Sequence, residues 1–254
     1  MRHWFLGIAA AVALSGLAAA DEKAEAVVKK AIEATGGADA LNKYKASKYT
    51  IKGEVSVAGN DTEFTGDMAY AMPDKFRMNL SLDVMGMKVT IHQVANGEKF
   101  ARTVKVGDMV IPGEDDANEE LKFAVIGRQA QMLTPLLDTS KFTVKAADDE
   151  DVNGKKAAVV IVTPKGTDKE IKLYFDKESG LLVKAGHKGK GPGDGGARVD
   201  VYQESYFSDF KKVNGIQVPT KVLLNHDGKK FMTATMSDYE VAEKLDDKEF
   251  QVDD

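Results

Sequence analysis

Hydrophobic and polar positions along this chain repeat with two different periods, and each change of period marks a new element. After an apolar run from Trp4 to Leu17, Ala24, Val27, Val28, Ala31 and Ile32 recur at three- and four-residue spacing. That spacing predicts an amphipathic helix, with Gly36-Gly37 as its stop. A shorter helical turn is expected over Ala38 to Tyr44. From Ser47 the period becomes two. Tyr49, Ile51, Gly53 and Val55 alternate with Lys48, Thr50, Lys52 and Glu54, as in a strand with one buried face. Gly59-Asn60-Asp61 turns the chain into a returning strand, Thr62 to Ala71, which Met72-Pro73-Asp74 ends. Phe76, Met78, Leu80 and Leu82 alternate next, then Met87, Val89 and Ile91 after Gly86. Asn96-Gly97 is a strong hairpin signal leading into Phe100 to Val106.

The helical period returns mid-chain. An acidic stretch, Glu114 to Asn118, suits a helix N-terminus, where the peptide dipole favours negative charge. Phe123, Ile126, Ala130, Leu133 and Leu137 form one stripe, and Leu121, Val125, Met132 and Leu136 a neighbouring one. An apolar arc that wide predicts a largely covered helix, kinked or ended around Thr134 by Pro135. Strands are then expected at Phe142–Lys145, Ala157–Thr163, Glu170–Phe175, Leu181–Ala185, Arg198–Phe210, Gln217–Asn225 and Lys230–Tyr239. Short strands separated by Gly, Asn and Asp turns point to a curved antiparallel sheet or barrel.

The N-terminus changes the picture of location. Arg2, the apolar run and Ala18-Ala19-Ala20 before Asp21 describe a secretory signal peptide over residues 1–20, cleaved near Ala20. Residues 21–254 are then expected as a single domain, periplasmic or secreted, and not lipid-anchored at the exit because no cysteine is present. The absence of cysteine also removes thiol catalysis, disulfides and thiolate metal sites. A net charge of −5 offers no basic face for nucleic acid, and no later apolar run is long enough for an integral membrane protein.

Few motifs suggest chemistry. Asp149-Glu150-Asp151-Val152-Asn153-Gly154 matches the opening of a calcium loop, but the final acidic ligand would fall at Val160 and a β-run follows, so a solvated hairpin turn is expected. Gly189 to Gly196 is glycine-rich but lacks the Lys-Ser/Thr ending and the helix of a phosphate loop; a hairpin loop is expected. His92, His187 and His226 have no ligand-spaced neighbours, and no serine sits in a nucleophile elbow. No catalytic constellation, metal site or cofactor is expected, and the chain reads as a non-enzyme. Of ten methionines, Met68, Met72, Met78, Met85 and Met87 cluster, as a flexible lining for an apolar site would require, or as ordinary core packing.

Several stretches resemble the LolA/LolB-like (LolA/LppX-type) lipoprotein-carrier superfamily. Met72-Pro73-Asp74-Lys75-Phe76-Arg77 resembles its strand entry, and Tyr174 to Leu182 its central hairpin. Phe207 to Thr220 and Leu245 to Phe250 resemble later segments, in the same order. The resemblance implies a mainly β fold with α elements: an incomplete antiparallel β-barrel, or half-barrel, with an N-terminal helix and a mid-chain lid helix. It also implies an apolar cavity for lipid or lipoprotein acyl chains, for which Met78, Leu80, Met87, Val89, Ile126 and Leu133 are the candidate lining residues. Where the periplasmic carrier has a lid-holding arginine before the proline, this chain has Met72, with Arg77 nearby. The alternative reading is a non-enzymatic envelope sensor or protein-interaction domain with a packed core.

Overall fold

The structure is a computed structural model describing residues 11–57, 59–111, 117–192 and 198–252. Residues 1–10 of the expected signal peptide lie outside this range, as do 193–197 of the glycine-rich stretch and 112–116 of the acidic one. Helix α1 runs Ala11–Thr35 and α2 Ala38–Lys43. The stop at Gly36-Gly37 is as the sequence implies, both amides donating back to the Ile32 carbonyl. Ala24, Val28, Ala31 and Ile32 form the buried stripe of α1.

Fourteen strands form one antiparallel sheet among the described residues. They are β1 (Ala46–Val57), β2 (Asn60–Ala71), β3 (Lys75–Val84), β4 (Met87–Asn96), β5 (Lys99–Val106), β6 (Met109–Ile111), β7 (Phe142–Ala146), β8 (Glu150–Val152), β9 (Lys155–Pro164), β10 (Ile171–Asp176), β11 (Leu182–Pro192), β12 (Arg198–Val213), β13 (Ile216–His226) and β14 (Lys229–Ala242). The order is β6-β5-β4-β3-β2-β1-β14-β13-β12-β11-β10-β9-β7, with β8 paired to β9. Because β6 and β7 do not pair, the sheet is open: a half-barrel with helices over one face. The chain's two runs of strands meet where β1 pairs with β14.

Two glycines allow the sheet to curl. A Cβ on Gly53 of β1 would lie 1.9 Å from the Thr233 carbonyl oxygen of β14, and one on Gly66 of β2 would lie 2.1 Å from that of Asn79 on β3. Any side chain there forces the strands apart. Inside the curve, Tyr49, Ile51, Phe64, Leu82, Ala234 and Met236 form the core of the first half. In the second half α1 packs on β7, β9 and β13, burying Val28, Ile32, Val160, Val162, Leu173 and Phe175.

The mid-chain helix breaks close to Thr134, where Pro135 predicts it, ending slightly earlier. Helix α3 runs Ala117–Gln131, and Thr134–Leu137 is a separate 3-10 turn. Pro135 accounts for this, since its ring excludes the carbonyl of Gln131 four residues earlier and it has no N–H to continue the ladder. Leu137 consequently leaves the buried stripe and is 40% exposed. The acidic motif at Asp149–Gly154 is the β8–β9 hairpin, with Asp151 accepting from the Gly154 amide at 2.8 Å.

Candidate functional site

Helix α3 lies across the open side of the half-barrel and joins its two halves, touching β4 and β5 on one flank and β11 on the other. Its two apolar stripes divide accordingly. Leu121 and Val125 pack with Phe76 and Ala95, with Met78 and Phe100 partly buried beside them. Phe123 and Ala130 enter the core under α1, with Ile126 against it. Near its start, Glu120 pairs with Arg198 of β12. Near its end, the Gln129 amide donates to the Pro73 carbonyl at 2.7 Å.

The joint after α3 is a γ-turn. Thr134 N–H donates to the Met132 carbonyl at 2.8 Å, and the central residue, Leu133, has φ 66° and ψ −52°. This is the rare, strained form for an L-residue. It is held by packing, because the Leu133 side chain is 1% exposed in the main core.

Beside this joint is an apolar pocket of about 110 Å³. Leu41, Leu133, Phe207, Phe210, Ile216 and Val218 supply its apolar walls, with Lys45, Arg128, Gln131 and Gln217 as polar members. Tyr70 forms part of one side and belongs to an aromatic row on the sheet: Tyr239–Tyr49 at 4.7 Å, Tyr49–Tyr70 at 6.3 Å and Tyr70–Phe76 at 5.1 Å between ring centroids. Arg128 of α3 stacks over Tyr70 at 4.5 Å. Burial pushes the phenols of Tyr49, Tyr70 and Tyr239 above their ordinary value, against a smaller opposite pull from Arg128, so all three stay neutral near pH 7.

A wider groove of about 380 Å³ lies on the face of β2–β5 away from α3. Its side chains are largely polar: Asp67, Asn79, Ser81, Thr90, His92 and Thr103 with Lys88 and Lys105. Here Asn79 Oδ1 lies 2.5 Å from His92 Nδ1, and Arg77 pairs with Asp67 and, at 2.8 Å, with Glu249. Arg77 thus faces away from the helix and makes these ion pairs on the outside of the sheet. The groove is open and polar-walled, so the less open, largely apolar pocket is the better ligand candidate despite its smaller volume.

The six residues singled out in the sequence are spread along the covered face. Leu133 borders the pocket, and Ile126 packs on the same core. Met78 lies under the other flank of α3. Leu80 and Val89 are half-buried farther along the first half, and Met87 is 53% exposed near the β3–β4 turn. The methionine cluster divides likewise: Met68 and Met78 face one another under α3, Met72 lines the pocket, and Met85 is 83% exposed at the turn. His187 and His226 share a sheet face with Gln203 between them in register, whereas His92 lies in the outer groove. Burial lowers the proton affinity of both His187 and His226. Arg128 was not among the sequence candidates. Its signal is there, since it stands seven residues after Leu121 and three after Val125, a cation within an apolar stripe.

No protein-family model matches the chain, and no curated protein matches it in sequence. Solved structures do. A DUF1329 family protein from Desulfovibrio piger ATCC 29098 is 16% identical over 90% of this chain and 97% of that one, with a TM-score of 0.52. A LolA superfamily protein from Nitrosomonas europaea is 11% identical over 90% and 97%, with a TM-score of 0.50. An outer membrane lipoprotein-sorting protein domain from Vibrio parahaemolyticus is 14% identical over 91% and 97%, again at 0.50. Likeness at these identities is likeness of fold. The chain has a LolA-like fold.

Proposed function

We propose that this LolA-like chain is an exported, non-enzymatic lipid- or lipoprotein-binding protein that holds an acyl chain in the apolar pocket beside α3, with α3 as its lid. Residues 21–254 act as a single periplasmic or secreted domain after cleavage near Ala20. The observation that carries the reading is the pocket between sheet, α2 and the end of α3, walled by Leu41, Leu133, Phe207, Phe210, Ile216 and Val218. Among the described residues no helix is long and apolar enough to cross a membrane.

The pocket's 110 Å³ is well below the ~300–1,000 Å³ of sites for drug-sized ligands, so binding requires α3 to move. The energetics allow it. Among the described residues the Glu120–Arg198 pair, the Gln129–Pro73 hydrogen bond and the Arg128–Tyr70 contact hold α3. The hydrogen bond contributes roughly 1 kcal/mol, and the ion pair, with side chains only 18% and 30% exposed, costs more to break than the about 0–1 kcal/mol of a surface pair. Burying each methylene returns about 0.8 kcal/mol, so a long acyl chain of about a dozen methylenes, roughly 10 kcal/mol, is what offsets these ties together with the apolar packing of α3 that the movement displaces. A chain entering at Leu133 and Ile126 extends, when long, toward Met78, Leu80, Val89 and, at the far rim, Met87.

The test is a titration of lipid-stripped protein with a fluorescent acyl probe. Saturable binding is expected, weakened at least tenfold by Met132→Trp, which places an indole in the pocket at a half-buried position. Circular dichroism checks that this variant is folded. Absence of saturable binding to the unsubstituted protein overturns the reading. The small pocket favours a second reading, a sensor or interaction domain with a packed core, and that absence would support it.

A further inference from the structure

We infer that the ligand of this pocket carries an anionic head, a carboxylate or phosphate, which Arg128 receives with Lys45 beside it. This rests on the acyl-pocket reading and names the ligand class that reading leaves open.

The pocket's charge runs against that of the chain. Acidic residues outnumber basic ones, 40 to 35, yet the pocket is lined by Lys45 and Arg128 and by no aspartate or glutamate. Arg128 is half-buried, and its Nε is enclosed with no hydrogen-bond partner. Two other guanidinium groups, whose positions in the sheet are comparably buried, are matched with carboxylates, Arg77 with Asp67 and Glu249 and Arg198 with Glu120. Among the described residues no carboxylate forms an ion pair with Arg128; its partner is the face of Tyr70, 4.5 Å away. The surrounding phenols are neutral, so they leave its charge uncompensated.

A guanidinium drawn from water without a counter-charge is destabilising. Contact of the guanidinium with the Tyr70 face, 4.5 Å from the ring centroid, takes up none of its N–H donors, and such a group takes a carboxylate or phosphate by two parallel hydrogen bonds. Lys45 is exposed, which places the head toward solvent and the acyl chain toward Leu133 and Phe207. A hydroxyl or ester head supplies hydrogen-bond acceptors but no charge.

Palmitate, hexadecyl phosphate and hexadecanol present the same chain with three heads. Their displacement of a fluorescent acyl probe from the intact protein gives the ratio of affinities. The expected result is that one or both anions bind roughly tenfold tighter than the alcohol, the scale of one charge-assisted hydrogen bond. That ratio falls toward one in Arg128→Gln and is only partly kept in Arg128→Lys, which retains the charge but not the two-pronged donor. A ratio within one protein is insensitive to a general loss of stability. Whichever anion shows the larger ratio identifies the head. Equal binding of all three overturns the anionic head while leaving the acyl pocket standing. A preference that survives Arg128→Gln overturns the assignment to Arg128. No binding of any of the three overturns both readings.

Discussion

Leu133 offers a test in which the usual gap between two substitutions narrows or reverses. Its side chain is 1% exposed in the main core, and its backbone is in the γ-turn conformation at φ 66°. Leu133→Ala removes the packing and keeps the strain. Buried Leu→Ala substitutions destabilise by about 2–5 kcal/mol, more where the surroundings cannot collapse. The adjoining 110 Å³ of open pocket provides little that can close on the lost methyls, so a value of about 3–4 kcal/mol is expected. Leu133→Gly loses that packing and the Cβ as well, about 0.8 kcal/mol more, but relieves a conformation costing roughly 1–3 kcal/mol for a residue with a Cβ. Glycine also gives up about 0.5–1 kcal/mol of backbone entropy. The glycine variant should therefore lie no more than about 0.8 kcal/mol below the alanine variant and up to about 1.7 kcal/mol above it, whereas at an ordinary negative φ it would fall roughly 1.3–1.8 kcal/mol below. Equilibrium urea unfolding measures the difference, provided the slope is unchanged among the proteins. A glycine variant less stable than the alanine variant by about 1.3 kcal/mol or more would refute the strained joint.

Other expectations follow from single contacts. Gly66→Ala places a methyl against the Asn79 carbonyl, and a destabilisation of at least about 1–3 kcal/mol is expected in thermal unfolding; wild-type stability would contradict the curl at that position. His187 binds protons more weakly folded than unfolded because of burial and, second, His226, so the unfolded chain gains protons first as pH falls through about 6.5. Stability should be full above that pH and decline below it, with a shallower decline in His187→Gln, as followed by urea midpoints from pH 8 to 5. Glu120→Gln removes the carboxylate that pairs with Arg198, and amide hydrogen exchange should accelerate in α3 by at least about fivefold with little change in the sheet; unchanged exchange means the pair does not hold the helix.

The alternation of Tyr49, Ile51, Gly53 and Val55 and the spacing of Ala24 to Ile32 were legible because one face of each element is buried throughout its length. Strands β6 and β8 were not, since three residues carry no period. The end of α3 was legible only to within a few residues because Met132, Leu133 and Leu136 continue a helical stripe across a chain that is no longer α-helical; the steric reach of Pro135 back to Gln131 was the better guide. For the site, parity along β3 and β4 placed Met78, Leu80, Met87 and Val89 on one face, as their paired register confirms. How far along that face the cover extends depends on where α3 lies, which no local pattern encodes. Arg128 was hidden for a different reason. The role proposed for it depends on Tyr70, more than fifty residues away in sequence, and on the lack, among the described residues, of a carboxylate paired with it.

The most direct test of the acyl pocket is native mass spectrometry of the protein isolated gently from the cells that make it. A population carrying one lipid adduct, released by denaturation and displaced by palmitate, is the expected result. Protein that is consistently free of lipid, and that takes up none when palmitate is added, would contradict it.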